Sequence, residues 1–169
     1  MRARFQNDVT QKIADFITDI GLVLEHTCID EATFLPGILV QHGSIIVDED
    51  KLEYPGDLLH EAGHLALLPA EIRPTLSGEV ALPGARMEPI EAQAMAWSYA
   101  AALFLGIGPE IVFHEGGYFG ASKSLLFNFS VGAYIGVNGL QEAGLTLFGE
   151  SAREKSIPPY PHMIKWLRD

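Results

Sequence analysis

The sequence is poor in several residue types, and each shortage excludes a class of protein. Among its 169 residues there is one cysteine, Cys28, so no disulfide can form within the chain. Lysine and arginine number 11 against 22 aspartates and glutamates, giving a formal net charge of −11. Because neutralising phosphates requires clustered lysine and arginine side chains, this balance argues against a nucleic-acid-binding surface. We therefore expect proteins or small molecules as partners, and no nucleic acid.

Long apolar runs are also absent. No stretch approaches the roughly 20 apolar residues that a helix needs to span a bilayer, so no membrane insertion is expected. Residues 1–8 lack the apolar core of a signal peptide, which predicts a cytoplasmic protein. With 48% hydrophobic and 20% charged residues, the chain can bury a sizeable core, and one domain spanning residues 1–169 is expected.

The most informative stretch that is present is His60-Glu61-Ala62-Gly63-His64, which matches the H-E-x-x-H pattern of zinc sites. At 3.6 residues per turn, His60 and His64 project from one helix face, so their imidazoles can reach a single tetrahedral ion. Glu61 lies about 100° around the helix from His60, where its carboxylate can touch a water on the metal. This spacing predicts amide hydrolysis. The alternative is a chance match in an ordinary amphipathic helix, with both histidines hydrogen-bonded.

The residues around the motif predict a helix from about Pro55 to Leu68, because proline suits the first turn and Pro69 follows the end. Apolar residues at helical spacing form a face on a different side from the two histidines: Leu58, Leu59, Ala62, Leu65 and Ala66. Gly63 costs about 1 kcal/mol of helix propensity. Its missing side chain permits either close packing or close approach of a substrate.

A catalytic zinc site needs a third protein ligand and an open fourth position. The best candidate segment, residues 87–97, opens an alanine-rich helical pattern that continues to Leu105. Glu88 and Glu91 share a face near its start, where a glutamate can meet the first helix. Glu91 also has a second interpretation, as an acidic residue that stabilises the first helical turn after Pro89.

Together, the motif at residues 60–64 and Glu91 in the run Glu-Ala-Gln-Ala-Met-Ala resemble the ImmA/IrrE metallopeptidases, which are small gluzincin-like proteins. The similarity covers roughly residues 36–112, and residues 37–48 resemble the family's hairpin before the active-site helix. The resemblance implies a zincin-like fold, a Zn²⁺ ion held by His60, His64 and Glu91, and Glu61 as the general base. It also implies a protein or peptide substrate. Two features differ from the family pattern: Gln93 replaces an asparagine, and residues 104–109 replace a Leu-Leu-Met-Pro ending.

Periodicity outlines the other elements. Apolar residues from Phe5 to Leu24 predict an amphipathic helix ending near Gly21, and residues 22–29 overlap it as a possible strand. A hairpin is expected at 38–40 and 44–47, helices at 122–131 and 137–143, and a short closing helix at 160–168. The chain is therefore predicted to be α+β: a small β-sheet whose hairpin precedes the H-E-x-x-H helix, packed on several α-helices, with a helical C-terminal third.

Other residues have competing interpretations. His114 and Tyr118 follow the second metal helix, and either donate a hydrogen bond to a developing oxyanion or belong to a structural loop. Residues 73–86 form either a functional rim over the cleft or a passive connector. Cys28 is expected to be buried, and Asp48 to Asp50 to form a solvated turn.

Three functions remain open. The first is a zinc-dependent peptidase in which Glu61 takes a proton from water and passes it to the leaving amine. The second is a non-catalytic regulatory or protein-interaction module that keeps the zincin scaffold. The third is a metal-free domain whose helix pair is purely structural. The complete set of His60, Glu61, His64 and Glu91 favours the enzyme. Neither the substrate nor the oligomeric state follows from the sequence.

Overall fold

The computed structural model describes residues 3–78 and 87–169, without the side chains of Met87 and Glu88. In these residues the chain is mixed α+β, with a three-stranded sheet and six α-helices, which confirms the expected class. The elements are α1 (Asp8–Asp19), β1 (Val23–His26), β2 (Ile38–Gln41), β3 (Ser44–Val47), α2 (Gly56–Leu67), α3 (Met87–Leu105), α4 (Ser122–Ser130), α5 (Val137–Glu142) and α6 (Glu150–Lys155). Short 3₁₀ turns lie at Arg73–Thr75, Pro109–Ile111 and Tyr118–Gly120.

The first helix begins at Asp8 because Asn7 caps it. The Asn7 side chain accepts hydrogen bonds from the backbone nitrogens of Val9 and Thr10, at 2.9 and 3.0 Å. Ile13 and Ile17 on its inner face are fully buried, as the apolar spacing predicted. Gly21 follows with a φ of 100°, a left-handed conformation that favours glycine and turns the chain into β1.

The sheet has the order β1-β3-β2, with β1 parallel and β2 antiparallel to β3. The predicted hairpin is confirmed: β2 and β3 are joined by His42 and Gly43, whose φ angles of 49° and 74° are those of a type I′ turn. A side chain on Gly43 would lie 2.5 Å from the carbonyl oxygen of Arg73, so that only glycine fits. Ile45 and Val47 of β3 are completely buried in the core.

Helices α2 and α3 pack directly against each other, and Gly63 makes this possible. A Cβ atom at Gly63 would lie 3.2 Å from both the Ala94 carbonyl oxygen and the Trp97 ring on α3. Of the two interpretations of Gly63, the structure therefore shows close packing. The predicted apolar face of α2 is fully buried, and burying each large aliphatic side chain contributes roughly 1.5–3 kcal/mol.

Residues 160–168 do not form the predicted closing helix. Their backbone groups pair with the preceding segment: Tyr160 N donates to Leu147 O at 2.7 Å and Ile164 N to Leu145 O at 2.8 Å. Pro161 has no N–H to offer a helix. The segment then contacts α3, where Trp166 O accepts a hydrogen bond from the Trp97 indole at 2.9 Å, and α2, where Arg168 N donates to Ala66 O at 2.9 Å. These tertiary contacts replace the local helix, whereas α6, which the sequence pattern did not predict, is helical.

One further prediction is wrong, and another is right only in part. Cys28 is exposed rather than buried. Asp48 is only 4% exposed, and its carboxylate accepts a hydrogen bond from Ile29 N at 2.9 Å. The neighbouring Glu49 accepts hydrogen bonds from Gln6 N and Asn7 N at 2.8 and 2.9 Å. The acidic run does form a turn, in which Lys51 N donates to Asp48 O at 3.1 Å and Asp50 is exposed, but Asp48 is buried and the first two carboxylates bind two preceding segments.

The connector between α2 and α3 is only partly within the described residues. Gly78 N donates to Val40 O at 2.8 Å, which places this point of the connector along the free edge of β2. Residues 79–86, and with them most of the predicted rim, lie outside the described residues. Within residues 3–78 and 87–169, no helix has the length and apolar character required to cross a membrane.

Candidate metal centre

Two helices bring the three predicted ligand residues together. His60 and His64 lie one turn apart on α2, and Glu91 lies near the start of α3. The two histidine Nε2 atoms are 3.1 Å apart. Each is 3.2 Å from a different oxygen of Glu91: His60 from Oε2 and His64 from Oε1. The ligand atoms of the three residues thus all lie within 4.8 Å of one another.

These distances suit a tetrahedral metal ion. Zinc binds histidine nitrogen and carboxylate oxygen at about 2.0–2.2 Å, so two ligands at a tetrahedral angle lie about 3.3 Å apart. The separation of 3.1 Å between the two Nε2 atoms is close to that value, and each Nε2 atom lies 3.2 Å from one of the two Glu91 oxygens. Three groups whose lone pairs converge in this way repel one another unless protons or a cation lie between them. The donor set of two imidazoles and one carboxylate therefore fits zinc.

The surroundings keep Glu91 charged. Hydrogen bonds from His60 and His64 lower the pKa of Glu91 well below its usual range, and burial opposes this shift only in part. A carboxylate that is ionised at neutral pH is ready to bind a cation without first losing a proton. The Glu91 side chain is 36% exposed, whereas that of His64 is 4% exposed. One side of the cluster is thus reachable from solvent.

Among the described residues, the rings of His60 and His64 make polar contacts only through their Nε2 atoms. The Nδ1 atoms of His60 and His64 are buried and have no hydrogen-bond partner among the described residues. Metal-binding histidines commonly donate their second ring N–H to a carboxylate or carbonyl oxygen. In this cluster the edge-to-face contact of the two rings, 4.6 Å between centroids, and the Glu91 carboxylate set the ring positions.

Glu61 follows His60 on α2 and is half-buried. Its negative charge is the smallest of the contributions that raise the pKa of the Tyr118 phenol, after burial and the charges of Asp57 and Glu91. Glu61 is not one of the three residues whose ligand atoms converge. Its position is compatible with a general base.

A second polar group adjoins the cluster. The His114 Nε2 atom is 2.7 Å from Asp57 Oδ1, and the His114 ring is stacked on Tyr54 with centroids 3.8 Å apart. Asp57 precedes His60 by one helical turn, so this pair ties the loop after α3 to the beginning of α2. Sequence reasoning missed Asp57 and Tyr54. The available signal was the position of Asp57, one turn before His60 on the same face of α2.

Tyr118 comes from the same loop. Its ring meets the His60 ring edge-on, with centroids 6.0 Å apart, and also packs against Phe113. Burial, followed by the charges of Asp57, Glu91 and Glu61, raises the pKa of the Tyr118 phenol well above its usual range. Within the described part of the chain, no hydrogen bond of the Tyr118 hydroxyl is found. The phenol is therefore a protonated group beside the candidate centre.

Gln93, one of the departures from the family pattern, packs against another helix. A side chain on Gly139 of α5 would lie 2.3 Å from the Gln93 amide carbon, so the glutamine occupies the space that this glycine leaves. Gln93 thus contributes to the contact between α3 and α5. Glu88 is the remaining glutamate that the sequence placed near the site, and its side chain lies outside the described residues.

Comparison with known proteins gives no relative. No family model matches this chain, and neither does any curated protein or solved structure. The resemblance to the ImmA/IrrE metallopeptidases therefore stays a prediction from the motif.

Proposed function

We propose that this protein is a zinc-dependent metallopeptidase of ImmA/IrrE type with a zincin-like fold, acting on a protein or peptide substrate in the cytoplasm. The observation that carries the proposal is the convergence of His60, His64 and Glu91, with ligand-atom separations of 3.1 and 3.2 Å. The half-buried Glu61 lies beside this convergence on α2. Two histidines, a distant glutamate and an adjacent carboxylate form the residue set of a hydrolytic zinc site.

Each residue has a role in the proposed reaction. His60, His64 and Glu91 would hold the zinc ion, and the Glu91 side chain is 36% exposed to solvent. A zinc ion bound there would supply Lewis acidity, which would polarise the scissile carbonyl and acidify the attacking water. Glu61 takes the proton from that water and passes it to the departing amine. The ionised Glu91 partly neutralises the cation.

The decisive variant is Glu61→Gln, which removes the base and keeps the size of the side chain. We expect it to bind zinc as wild type does and to lose about 10²–10⁴-fold in kcat on a peptide substrate identified from a library, because general-base catalysis is worth that much. Glu154→Gln is the matched control, since it makes the same chemical change at an exposed position of α6. The measurements are zinc content per chain and the rate of peptide cleavage.

The outcomes separate the three functions. Full activity of Glu61→Gln on a confirmed substrate would show that the base is wrongly assigned. Zinc that is bound by wild type and lost in His60→Ala, without cleavage of any library peptide, would favour the non-catalytic module. A chain that binds no zinc at all would exclude both metal-dependent functions and leave a structural helix pair.

A further inference from the structure

Tyr118, Phe119 and Gly120 form a left-handed turn beside the candidate centre. Their φ angles are 58°, 50° and 81°, and Ala121 N donates to Tyr118 O at 2.9 Å. Residues with side chains rarely adopt this conformation, and then mostly one at a time. Two such residues in succession persist only where the surrounding structure holds them. Strain of this kind points to a constraint on where the two side chains must lie.

The turn sends its two aromatic side chains in different directions. Phe119 is entirely exposed, whereas Tyr118 is packed against the Phe113 ring and the edge of the His60 ring. A right-handed turn would direct both side chains differently. The strained backbone therefore fixes the phenol next to a proposed metal ligand.

The other candidate in this loop is already engaged. His114 Nε2 is bound to Asp57 at 2.7 Å, and its Nδ1 atom is buried. Neither ring nitrogen is available to a substrate. The Tyr118 hydroxyl, in contrast, has no hydrogen-bond partner in residues 3–78 and 87–169 and carries a proton it can offer.

We propose that Tyr118 is a further catalytic residue, whose hydroxyl donates a hydrogen bond to the oxyanion that develops on the scissile carbonyl. This inference rests on the proposed peptidase function. The phenol keeps its proton throughout: the proton of the attacking water goes to Glu61 and then to the departing amine, as the C–N bond breaks and the new C–O bond forms. A donor aimed at the developing charge stabilises the transition state more than the substrate.

The test compares zinc-loaded Tyr118→Phe with wild type and with Tyr134→Phe. Tyr134 packs against Phe129 and Tyr160 and, among the described residues, makes no ring contact with Tyr118 or His60, so its variant removes a hydroxyl outside the site. One readout is the cleavage of unfolded casein. We expect Tyr118→Phe to lower kcat about 100-fold with little change in KM, since one oxyanion donor is lost. Zinc content should stay at the wild-type value.

A second readout does not depend on turnover. Phenylphosphonate presents tetrahedral anionic oxygens to a bound zinc ion, and its affinity can be measured by calorimetry. We expect Tyr118→Phe to weaken this affinity about 10-fold, because a hydrogen bond to a charged oxygen is lost. Tyr134→Phe should bind phenylphosphonate as wild type does.

The two readouts distinguish the proposals. If wild type binds phenylphosphonate and does not cleave casein, the peptidase proposal fails, while the 10-fold loss in Tyr118→Phe still supports the donor. Equal phosphonate affinity in the two tyrosine variants, or loss of zinc from Tyr118→Phe, would overturn the assignment of Tyr118. Wild type that neither binds phenylphosphonate nor cleaves casein would overturn both proposals.

Discussion

At the scale of single residues, the candidate centre depends on a few side-chain atoms and on their local sequence spacing. His60 and His64 face one point because four residues advance a helix by slightly more than one turn. Their Nε2 atoms are 3.1 Å apart for this local reason. Asp57 lies on the same helix, one turn earlier, yet its partner His114 is 57 positions further along the chain. Local spacing predicts the first pair and gives no information on the second.

The same contrast applies to Asp48, whose partner is not apparent from its acidic neighbours. A hydrogen bond from Ile29 N is the main cause that lowers the pKa of Asp48 below its ordinary value of 3.8; burial opposes it, and Lys51 adds to it. A carboxyl group whose pKa is lower in the folded than in the unfolded chain stabilises the fold above its ordinary pKa. This contribution is lost as the pH falls below about 3.8.

We therefore expect Asp48→Asn to make the free energy of unfolding less dependent on pH. Between about pH 5 and pH 2 the stability of the variant should fall less steeply than that of wild type, because the variant has no carboxylate to protonate there. Denaturant unfolding at a series of pH values measures this. Asp50→Asn, at an exposed neighbouring position, is the control and should follow wild type. Parallel curves for Asp48→Asn and wild type would contradict the prediction.

At the scale of elements, the centre is a property of the contact between α2 and α3. Two ligands belong to one helix and the third to the other, so their separation is set by how closely the helices approach. Gly63 sets that approach, since a Cβ atom there would already lie 3.2 Å from the Ala94 carbonyl oxygen. The glycine costs about 1 kcal/mol of helix propensity, and the close packing of α3 occupies the space it leaves.

Larger side chains at Gly63 should push the ligand-bearing helices apart. For Gly63→Ala we expect little change in stability, because improved helix propensity offsets the tight contact, and a several-fold weaker zinc affinity. For Gly63→Val we expect a loss of about 2–3 kcal/mol in the free energy of unfolding and at least a 10-fold weaker zinc affinity. Denaturant unfolding of zinc-free protein and competition with a chelating dye measure the two quantities. Wild-type zinc affinity in Gly63→Val would show that the ligands do not depend on this contact.

At the scale of the whole molecule, a bound metal ion would couple distant parts of the chain. His60 and Glu91 are 31 positions apart and lie on different helices. The C-terminal segment also joins these helices, through hydrogen bonds from Trp97 to Trp166 O and from Arg168 N to Ala66 O, each 2.9 Å long. An ion that binds only when these parts are assembled stabilises the folded chain by mass action.

Zinc should therefore raise the melting temperature. At a free zinc concentration of 100 times Kd, the stabilisation is about 2.7 kcal/mol, which corresponds to roughly 5–10 °C for a chain of this size. Thermal unfolding followed by circular dichroism at increasing zinc concentrations measures the shift. His60→Ala should abolish it, and His162→Ala, which changes an exposed histidine, should keep it. An equal shift in both variants would place zinc binding elsewhere.

The sequence by itself determined the features that depend on neighbouring residues. The hairpin at His42 and Gly43, the amphipathic spacing of α1 and the shared face of His60 and His64 all follow from backbone geometry over a few positions. For the same reason the α+β class could be predicted. Residues 160–168 also have a local pattern that predicts a helix, but their hydrogen bonds to residues 145–147 keep this segment non-helical.

Only the tertiary structure decided the remaining features. The C-terminal segment pairs with residues 145–147 instead of forming a helix, Asp57 meets His114, and a left-handed turn brings Tyr118 to His60. In each case the partners are remote in sequence, and the contact is worth more than the local preference it replaces. Periodicity carries no information about such partners, because it records which face of an element is buried and not what lies against that face.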